Sequence, residues 1–534
     1  MFDLLLCGGT LIDGTGAPAR PADLGIVGDR VVAVGELRGR EAQQALDLSG
    51  LFVTPGFVDL HAHSELSLLA DGRGASKVRQ GVTTEISGQC GFSAAPLLGQ
   101  AREELPVFLN RLGLEPDWET MAEFLARLER QGVALNFGTL VGHGTLRYAV
   151  VGGSDRPATP QQRTAMARLL AQALEEGALG LSSGLFYAPG SYADHEELAA
   201  LARVAAAQGG LYASHVRNEA AGLMAALEEA VAVGRATGAR VEISHLKLGA
   251  RSLWGGAERL LAWLEAVRAE GVDLGWDQYP YTASATSLDA LVPPPFHAGG
   301  TAALLTRLRD PQTRAEIARM LTSGSPSDWE NMAEDQAWEE FLLSFHPSRP
   351  ELAGHTLAEI AAAAGADPLQ TALDLIVESE AQATMVHFGM DEEDVTTILR
   401  HPQTAIITDA EALAADGPLA EGVPHPRAYG TYPRVLARYV REQGVLTWEE
   451  AIRKMTSLPA ARVGLRDRGV VGPGAFADLV VLDPATIADR ATFTEPHRYP
   501  AGICHVLVNG RFVVRDGQQT DERPGRVLRP IRRG

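Results

Sequence analysis

TPGFVDLHAHSE, residues 54–65, places an H-x-H pair directly after an apolar β-type run. Side chains alternate along a strand with period two, so His61 and His63 leave its end pointing the same way. Seven similar runs follow, and helical stretches rich in Ala, Leu, Glu and Arg separate most of them. Such alternation indicates βα units around a parallel sheet, and eight strands close a (β/α)8 barrel. The candidate strands are 52–60, 82–87, 136–142, 178–182, 210–214, 239–244, 272–276 and 404–408.

The predicted fold class is therefore α/β, a (β/α)8 TIM-type barrel over residues 52–466. Residues 288–403 are too many for one βα loop, so we expect an insertion with its own helices before the last barrel strand, forming a lid. FADLVVLDP and HVLVNGRFVVRDG near the C-terminus resemble the first fifty residues in their short β-type runs and turns. Residues 1–51 and 467–534 are thus predicted to form one small β-sandwich domain.

Composition excludes several partners. A formal net charge of −20 repels phosphate backbones, so no nucleic-acid partner is expected. No apolar stretch reaches about 18 residues, so no membrane span is predicted. The N-terminus lacks the basic segment of a secretory signal, and three cysteines, Cys7, Cys90 and Cys504, are too few for a disulfide framework. We expect a cytoplasmic protein, and its oligomeric state stays open.

Residues able to bind a metal stand where the predicted strands end. Each alone has a structural interpretation: a histidine in the core, a small buried cysteine, or an aspartate that caps a helix. Together they favour a metal site, because the C-terminal ends of barrel strands converge. His143, in LVGHGTLR, also follows a predicted strand and is either a partner of the metal ligands, a carbonyl-polarising group or structural. The candidates for the metal site are His61, His63, Cys90, His215, His245 and Asp409.

Imidazole and thiolate donors suit Zn²⁺. A zinc ion lowers the pKa of a bound water to about 7 and polarises a carbonyl oxygen. An aspartate beside that water can take its proton and pass it to a departing amine. This chemistry is that of amide hydrolysis.

At these residues the sequence resembles the amidohydrolase superfamily, and within it the N-acyl-D-amino-acid deacylases (D-aminoacylases). The likeness runs almost from end to end. Many superfamily members carry a carboxylated lysine after the fourth strand, whereas SSGLFYAPG at that position has none. The segments that carry the resemblance are TPGFVDLHAHSE, GQCGFSAAP, YASHVRNE, ISHLKLG, DQYPYTA, HPRAYGTYPRVLARYVRE and MTSLPAARVGLRDRGVVGPGAFADLVVLDP.

The resemblance implies a role for each candidate. One zinc ion would be held tightly by Cys90, His215 and His245, while His61 and His63 would form a second, weaker site that shares Cys90. Asp409 would be the general base and then the acid. The substrate carboxylate would meet Lys247, Arg427, Tyr187 and Tyr279; surface salt bridges are the structural alternative for Lys247 and Arg427. Thr408-Asp409-Ala410 departs from the Ser-Asp-Gly of many relatives, and the segment from Asp409 to Arg427 is long.

The functional hypothesis is zinc-dependent hydrolysis of small-molecule N-acyl-D-amino acids to a carboxylate and a free D-amino acid. One alternative is a cyclic amidase, such as a hydantoinase or a dihydroorotase-like enzyme, or a dipeptidase. Another is a catalytically silent barrel that serves assembly or binding. The residues alone leave open the handedness, the side chain and acyl group of the substrate, one or two metals in the active form, and the contacts of the insertion.

Overall fold

A run of parallel strands forms the middle of the protein in the computed structural model, which describes residues 1–105, 112–323, 329–334 and 337–530. These strands are β1 Phe57–Asp59, β2 Val82–Ser87, β3 Asn136–Thr139, β4 Val141–Gly142, β5 Gly180–Gly184, β6 Leu211–His215, β7 Arg240–Ile243, β8 Leu274–Gln278 and β9 Thr404–Ile406. Strands β1, β2 and β3 form one parallel sheet, and β4 to β9 form a second in chain order. Helices connect most of them, so the chain is mixed α/β, as predicted.

Hydrogen bonds join the edges of these two sheets. Leu140 separates β3 from β4, and its N–H donates to the carbonyl of Ser87 at 2.9 Å. At the other edge Ala62 pairs in parallel with Ala410, and the Asp409 N–H donates to the His61 carbonyl at 2.9 Å. The residues after β1 and after β9 therefore lie side by side.

The predicted strand 52–60 is divided at Gly56. Phe52–Pro55 belongs to a different sheet, and β1 starts at Phe57. A Cβ on residue 56 would lie 2.1 Å from Oγ1 of Thr83, so only glycine allows this close approach. The chain changes sheets there.

Strands from both chain ends share one seven-stranded sheet, in which Leu479–Leu482 pairs antiparallel with Phe52–Pro55. Apolar side chains of this sheet and of a four-stranded sheet form one buried cluster, which includes Leu6, Leu24 and Val53. The four-stranded sheet has the order Arg30–Gly35, Asp23–Val27, Phe2–Cys7, Ala42–Asp47; the seven-stranded sheet has the order Gln518–Gln519, Arg511–Arg515, Ile503–Val508, Leu479–Leu482, Phe52–Pro55, Thr10–Leu11, Arg20–Pro21.

Several helices begin at residues whose side chains cap them. Thr159 accepts the Gln162 N–H, the Gln162 side chain returns the contact, and Pro160 supplies the first helical position. The described helices of the central and C-terminal regions are Glu65–Ala70, Ala75–Val78, Ala101–Glu104, Met121–Gln131, His143–Val150, Pro160–Glu176, His195–Ala207, Leu223–Thr237, Ala257–Ala269, Glu392–Arg400, Arg427–Arg434, the π-helical Val435–Glu442, Trp448–Met455 and Ser457–Arg462.

The predicted insertion has its own apolar cluster, which includes Leu291, Leu343 and Ile376. It contains a three-stranded antiparallel sheet as well as the expected helices. Residues 324–328 and 335–336 of the predicted insertion lie outside the described residues, and so do residues 531–534 of the predicted β-domain. The helix Glu392–Arg400 packs on the central region instead, because the Asp394 carboxylate accepts the N–H groups that start Ala257–Ala269. The sheet's first strand, Ser284–Ser287, lies just before the predicted start of the insertion at residue 288. The other strands are Phe341–Phe345 and Thr384–His387, and the helices are Thr301–Leu308, Pro311–Thr322, Leu357–Ala364 and Pro368–Glu378.

Among the described residues, no single helix has both the length and the hydropathy of a membrane span. The pair Leu357–Ala364 and Pro368–Glu378 meets the criterion only jointly, with a bend of 96° between its members. Leu357, Leu373 and Ile376 of this pair pack in the insertion's apolar cluster.

Candidate metal centre and active site

The predicted metal-binding residues meet at the C-terminal ends of the central strands. His61 and His63 follow β1, Cys90 follows β2, His215 ends β6, His245 follows β7 and Asp409 follows β9. Cys90, His245 and Asp409 have positive φ angles of 52°, 37° and 48°. Such angles are uncommon outside glycine and collect at functional sites, where the surrounding fold holds the strain.

Four of these side chains form a compact group of donors. The ligand atoms of His61, Cys90, His245 and Asp409 all lie within 4.8 Å of one another, and all four residues are buried. Sγ of Cys90 is 3.3 Å from Nε2 of His61 and 3.5 Å from Nε2 of His245. Oδ1 of Asp409 is 3.3 Å from Nε2 of His61 and 3.0 Å from Nε2 of His63. This geometry fits a bound cation.

His215 lies against the group through His245, with ring centroids 4.4 Å apart. Neither ring nitrogen of His215 has a hydrogen-bond partner among the described residues, although both are buried. Glu219 stands behind these histidines: its carboxylate is 3.6 Å from Nε2 of His215 and 3.0 Å from Nδ1 of His245. The same carboxylate accepts from Nζ of Lys247 at 2.6 Å.

The electrostatics favour ionised donors. Burial opposes the thiolate, yet the imidazoles of His61 and His245 hold the pKa of Cys90 well below its ordinary value. Burial likewise opposes the Asp409 carboxylate, but the Arg427 guanidinium beside it keeps its pKa well below the usual range. The thiolate and carboxylate in turn raise the pKa of His61 well above its ordinary value, against the effect of burial. A metal ion would replace the protons that these imidazoles carry.

Two buried carboxylates, those of Asp277 and Asp59, contact the histidines and the ends of the strands. Oδ1 of Asp277, on β8, accepts the His245 N–H at 2.5 Å, and Oδ2 is 3.5 Å from Nδ1 of His61. Asp59 accepts from Nζ of the fully buried Lys77 at 2.7 Å and from the Thr408 N–H at 3.0 Å. These contacts tie the end of β1 to the end of β9 and fix the orientation of the imidazoles.

The four predicted carboxylate-binding residues lie beside the same group. Nη1 of Arg427 is 2.8 Å from Oδ2 of Asp409, and its Cζ is 4.6 Å from the centre of the Tyr279 ring. The buried Tyr279 hydroxyl has no hydrogen-bond partner among the described residues. The Tyr187 hydroxyl bonds Oγ1 of Thr286 at 2.9 Å. Lys247 and Arg427 are both buried, so neither is a surface salt bridge.

His143 is not brought to this group of donors. Its Nε2 lies 2.8 Å from Oε1 of Glu197, whose carboxylate also receives Nη1 of Arg147 at 2.7 Å. All three side chains are fully buried. These contacts favour the structural interpretation of His143.

A cavity of about 480 Å³ opens over the donors. Nine of the predicted site residues line it, whereas His61 and His143 are not among its described lining residues. The nine are His63, Cys90, Tyr187, His215, His245, Lys247, Tyr279, Asp409 and Arg427.

Sequence reasoning missed Glu219 and Asp277. Glu219 stands four residues after His215 in YASHVRNE, and Asp277 opens DQYPY at the end of β8. The spacing of an acid one helical turn beyond a strand-end histidine is a signal that could have identified Glu219. Asp277 gives no such signal, since its partners His61 and His245 are distant in sequence.

Comparisons with known proteins give one consistent result. Residues 44–514 match the amidohydrolase family. The chain is 39% identical to an N-acyl-D-glutamate deacylase of Alcaligenes xylosoxydans xylosoxydans, over 99% of this chain and 96% of that protein. A solved N-acyl-D-glutamate deacylase from Bordetella bronchiseptica, in complex with zinc and a phosphonate mimic of the tetrahedral intermediate, is 38% identical with a TM-score of 0.83 over 99% and 100% of the two chains.

A solved D-aminoacylase with a binuclear metal centre, activated by one metal and attenuated by the second, has the same identity, coverage and TM-score. With the match over most of its length and relatives this similar, the chain belongs to the amidohydrolase family.

Proposed function

We propose that this protein is a zinc-dependent hydrolase of N-acyl-D-amino acids. The observation that carries the proposal is the convergence of the Cys90 thiolate, three buried imidazoles and Asp409 on one cavity beside Lys247 and Arg427. The D configuration comes from the names of the three relatives described above, two N-acyl-D-glutamate deacylases and a D-aminoacylase.

The donors fit zinc. One thiolate with two imidazoles leaves a fourth position open, as in catalytic zinc sites. Cys90, His215 and His245 would hold the ion, and the two unpartnered nitrogens of His215 are free for it. When bound there, zinc supplies a Lewis acid for the carbonyl and lowers the pKa of water. His61 and His63 would hold a second, weaker ion, at the place where Asp409 now lies between them.

The side chains of the cavity have separate roles in proton transfer and in substrate binding. Asp409 accepts a proton from the attacking water and returns it to the nitrogen of the departing amino acid. Lys247, Arg427 and the free hydroxyl of Tyr279 bind the α-carboxylate and so hold the amide over the donors. The Arg427 guanidinium contacts Asp409 and would also contact the α-carboxylate of the substrate.

We also propose the finer architecture. The central strands form one closed (β/α)8 barrel in which β3 and β4, separated only by Leu140, count as one strand; the pairing of Ala62 with Ala410 and the link through Leu140 support this. The sheets of the two chain ends form a separate small β-sandwich domain, which their shared apolar cluster supports. The residues between Ser284–Ser287 and Thr384–His387 form a lid, supported by their part in the cavity wall.

One experiment tests the proposed function. Purified protein is assayed with N-acetyl-D- and N-acetyl-L-amino acids and with hydantoins, and its metal content is measured on the same sample. We expect zinc and hydrolysis of the D-amino acid derivatives. Preferred hydrolysis of hydantoins would instead identify a cyclic amidase, and zinc-free protein with no hydrolysis would support a silent binding protein.

A further inference from the structure

Phe92 is 42% exposed although it stands two residues after Cys90 and lines the cavity. Its ring lies 6.1 Å from that of Tyr187, and the Tyr187 ring lies 5.0 Å from that of His215. An apolar surface therefore starts at the donors and continues away from them. Because this ring lines the cavity, its burial against an apolar ligand group would be favourable.

The surface continues as an apolar part of the cavity, which we call the acyl lobe. One wall, Leu97, Ala101 and Leu105, packs on the central apolar cluster. The other wall, Ala290 and Val292, belongs to the insertion. The two walls are tied together where Oε2 of Glu104 accepts from Thr301 and Gln100 donates to the carbonyl of Gly299. The acyl lobe consists of Phe92, Leu97, Ala101, Leu105, Ala290 and Val292.

The cations of the described cavity lining are confined to one side. They are Lys247 and Arg427, and both lie on the side of Tyr279, where Glu219 and Asp409 are their partners. Glu104 and Asp289 line the cavity beside the acyl lobe. An anionic group therefore fits the first side, and a neutral group fits the lobe.

We propose that the acyl lobe binds the acyl chain of the substrate, and that this chain is neutral, apolar and longer than acetyl. The inference rests on the proposed function. An N-acyl amino acid carries its carboxylate on one side of the scissile amide and its acyl chain on the other. With the carboxylate at Lys247 and Arg427, the acyl chain points past Cys90 and Phe92 into the lobe.

The size of the cavity agrees. A cavity of about 480 Å³ is within the range of about 300–1,000 Å³ that is typical of sites for drug-sized ligands, well beyond the nine or so non-hydrogen atoms of N-acetylalanine. Burial of each additional methylene favours binding by about two- to fourfold.

The test is a series of N-acetyl-, N-butyryl-, N-hexanoyl-, N-octanoyl- and N-succinyl-D-alanine with the zinc-loaded protein. We expect kcat/KM to rise with chain length, with octanoyl about tenfold or more above acetyl and succinyl the poorest. An acetyl derivative equal to or better than octanoyl overturns the inference and leaves the proposed function standing. Hydrolysis of no member of the series overturns the proposed function itself.

Variants separate the lobe from a general effect. Phe92→Ala removes the exposed ring, and Ala290→Phe fills the lobe; each should lower the ratio of octanoyl to acetyl kcat/KM by about tenfold. Met224→Ala is the matched control, because Met224 is 44% exposed on the helix Leu223–Thr237 and outside the cavity lining. An unchanged ratio in both lobe variants overturns the inference. A second series, N-acetyl-D-amino acids with side chains of increasing length, tests whether the lobe binds the amino-acid side chain instead. If kcat/KM rises with side-chain length in this series and Phe92→Ala abolishes the rise, the inference is overturned.

Discussion

Two groups of buried residues contain histidines at the ends of central strands, and only one of them has the properties of a reactive site. In the His143 group, Glu197 accepts from His143, from Arg147 and from the Ala158 N–H, so the carboxylate is fully used. In the donor group, both nitrogens of His215 lack a partner among the described residues and a cavity lies above. Position at a strand end therefore does not distinguish a ligand from a structural histidine, whereas a thiol within reach and an open cavity above do.

The largest effect should come from Asp409→Asn in the donor group. The amide cannot accept the proton from water, so we expect kcat to fall by about 10²–10⁴-fold while the zinc content stays the same. Steady-state kinetics and metal analysis of the same preparation check both statements. Near-normal turnover with full zinc would rule out the proposed role of Asp409.

Cys90→Ala should weaken zinc binding. Loss of the thiolate removes a ligand, and we expect the affinity for zinc to fall by at least about 100-fold, measured by competition with a chromophoric chelator. Cys504→Ala is the matched control, because Cys504 lies in the strand Ile503–Val508, away from the donors. Equal zinc affinity in the two variants would remove Cys90 from the ligand set.

Glu197→Gln should affect stability and not zinc. The substitution leaves the Arg147 guanidinium buried without its anionic partner, which costs about 3–5 kcal/mol of the free energy of unfolding. Urea denaturation measures this loss, and metal analysis should show unchanged zinc content. A variant of native stability with depleted zinc would reverse the assignment of the two groups.

The stability difference between the protein and Glu197→Gln should also depend on pH. Burial opposes ionisation of Glu197, but the contacts with His143 and Arg147 lower its pKa from 4.5 to about 2. Because this pKa is lowered in the folded protein, its stabilising effect is present above about pH 4.5 and is lost as the pH falls towards 2. The difference in the free energy of unfolding should shrink between pH 5 and pH 3; a constant difference would contradict the contact.

Much of the central region could be predicted from the sequence, because strand periodicity and helix caps are local signals. The observed strands lie within or next to the eight predicted ranges, and YASHVRNE and ISHLKLG indicated where His215 and His245 end up. Division of the strand at Gly56 was missed, since it depends on the distant Thr83.

The rest depends on contacts between segments far apart in the chain. The insertion's sheet pairs Ser284–Ser287 with Thr384–His387, a hundred residues later, and no local pattern reveals this. Asp277 was missed for the same reason. His143 and His245 look alike in sequence, and only the partners that folding brings to them, Glu197 in one case and Cys90 in the other, set them apart.

The central claim is that a thiolate and imidazoles share one zinc ion. X-ray absorption at the zinc edge of the purified protein measures its ligands directly. The account predicts one sulfur at about 2.3 Å and nitrogen or oxygen donors at about 2.0–2.1 Å, with the sulfur lost in Cys90→Ala. A zinc shell made only of nitrogen and oxygen in the unmodified, fully active protein would contradict it.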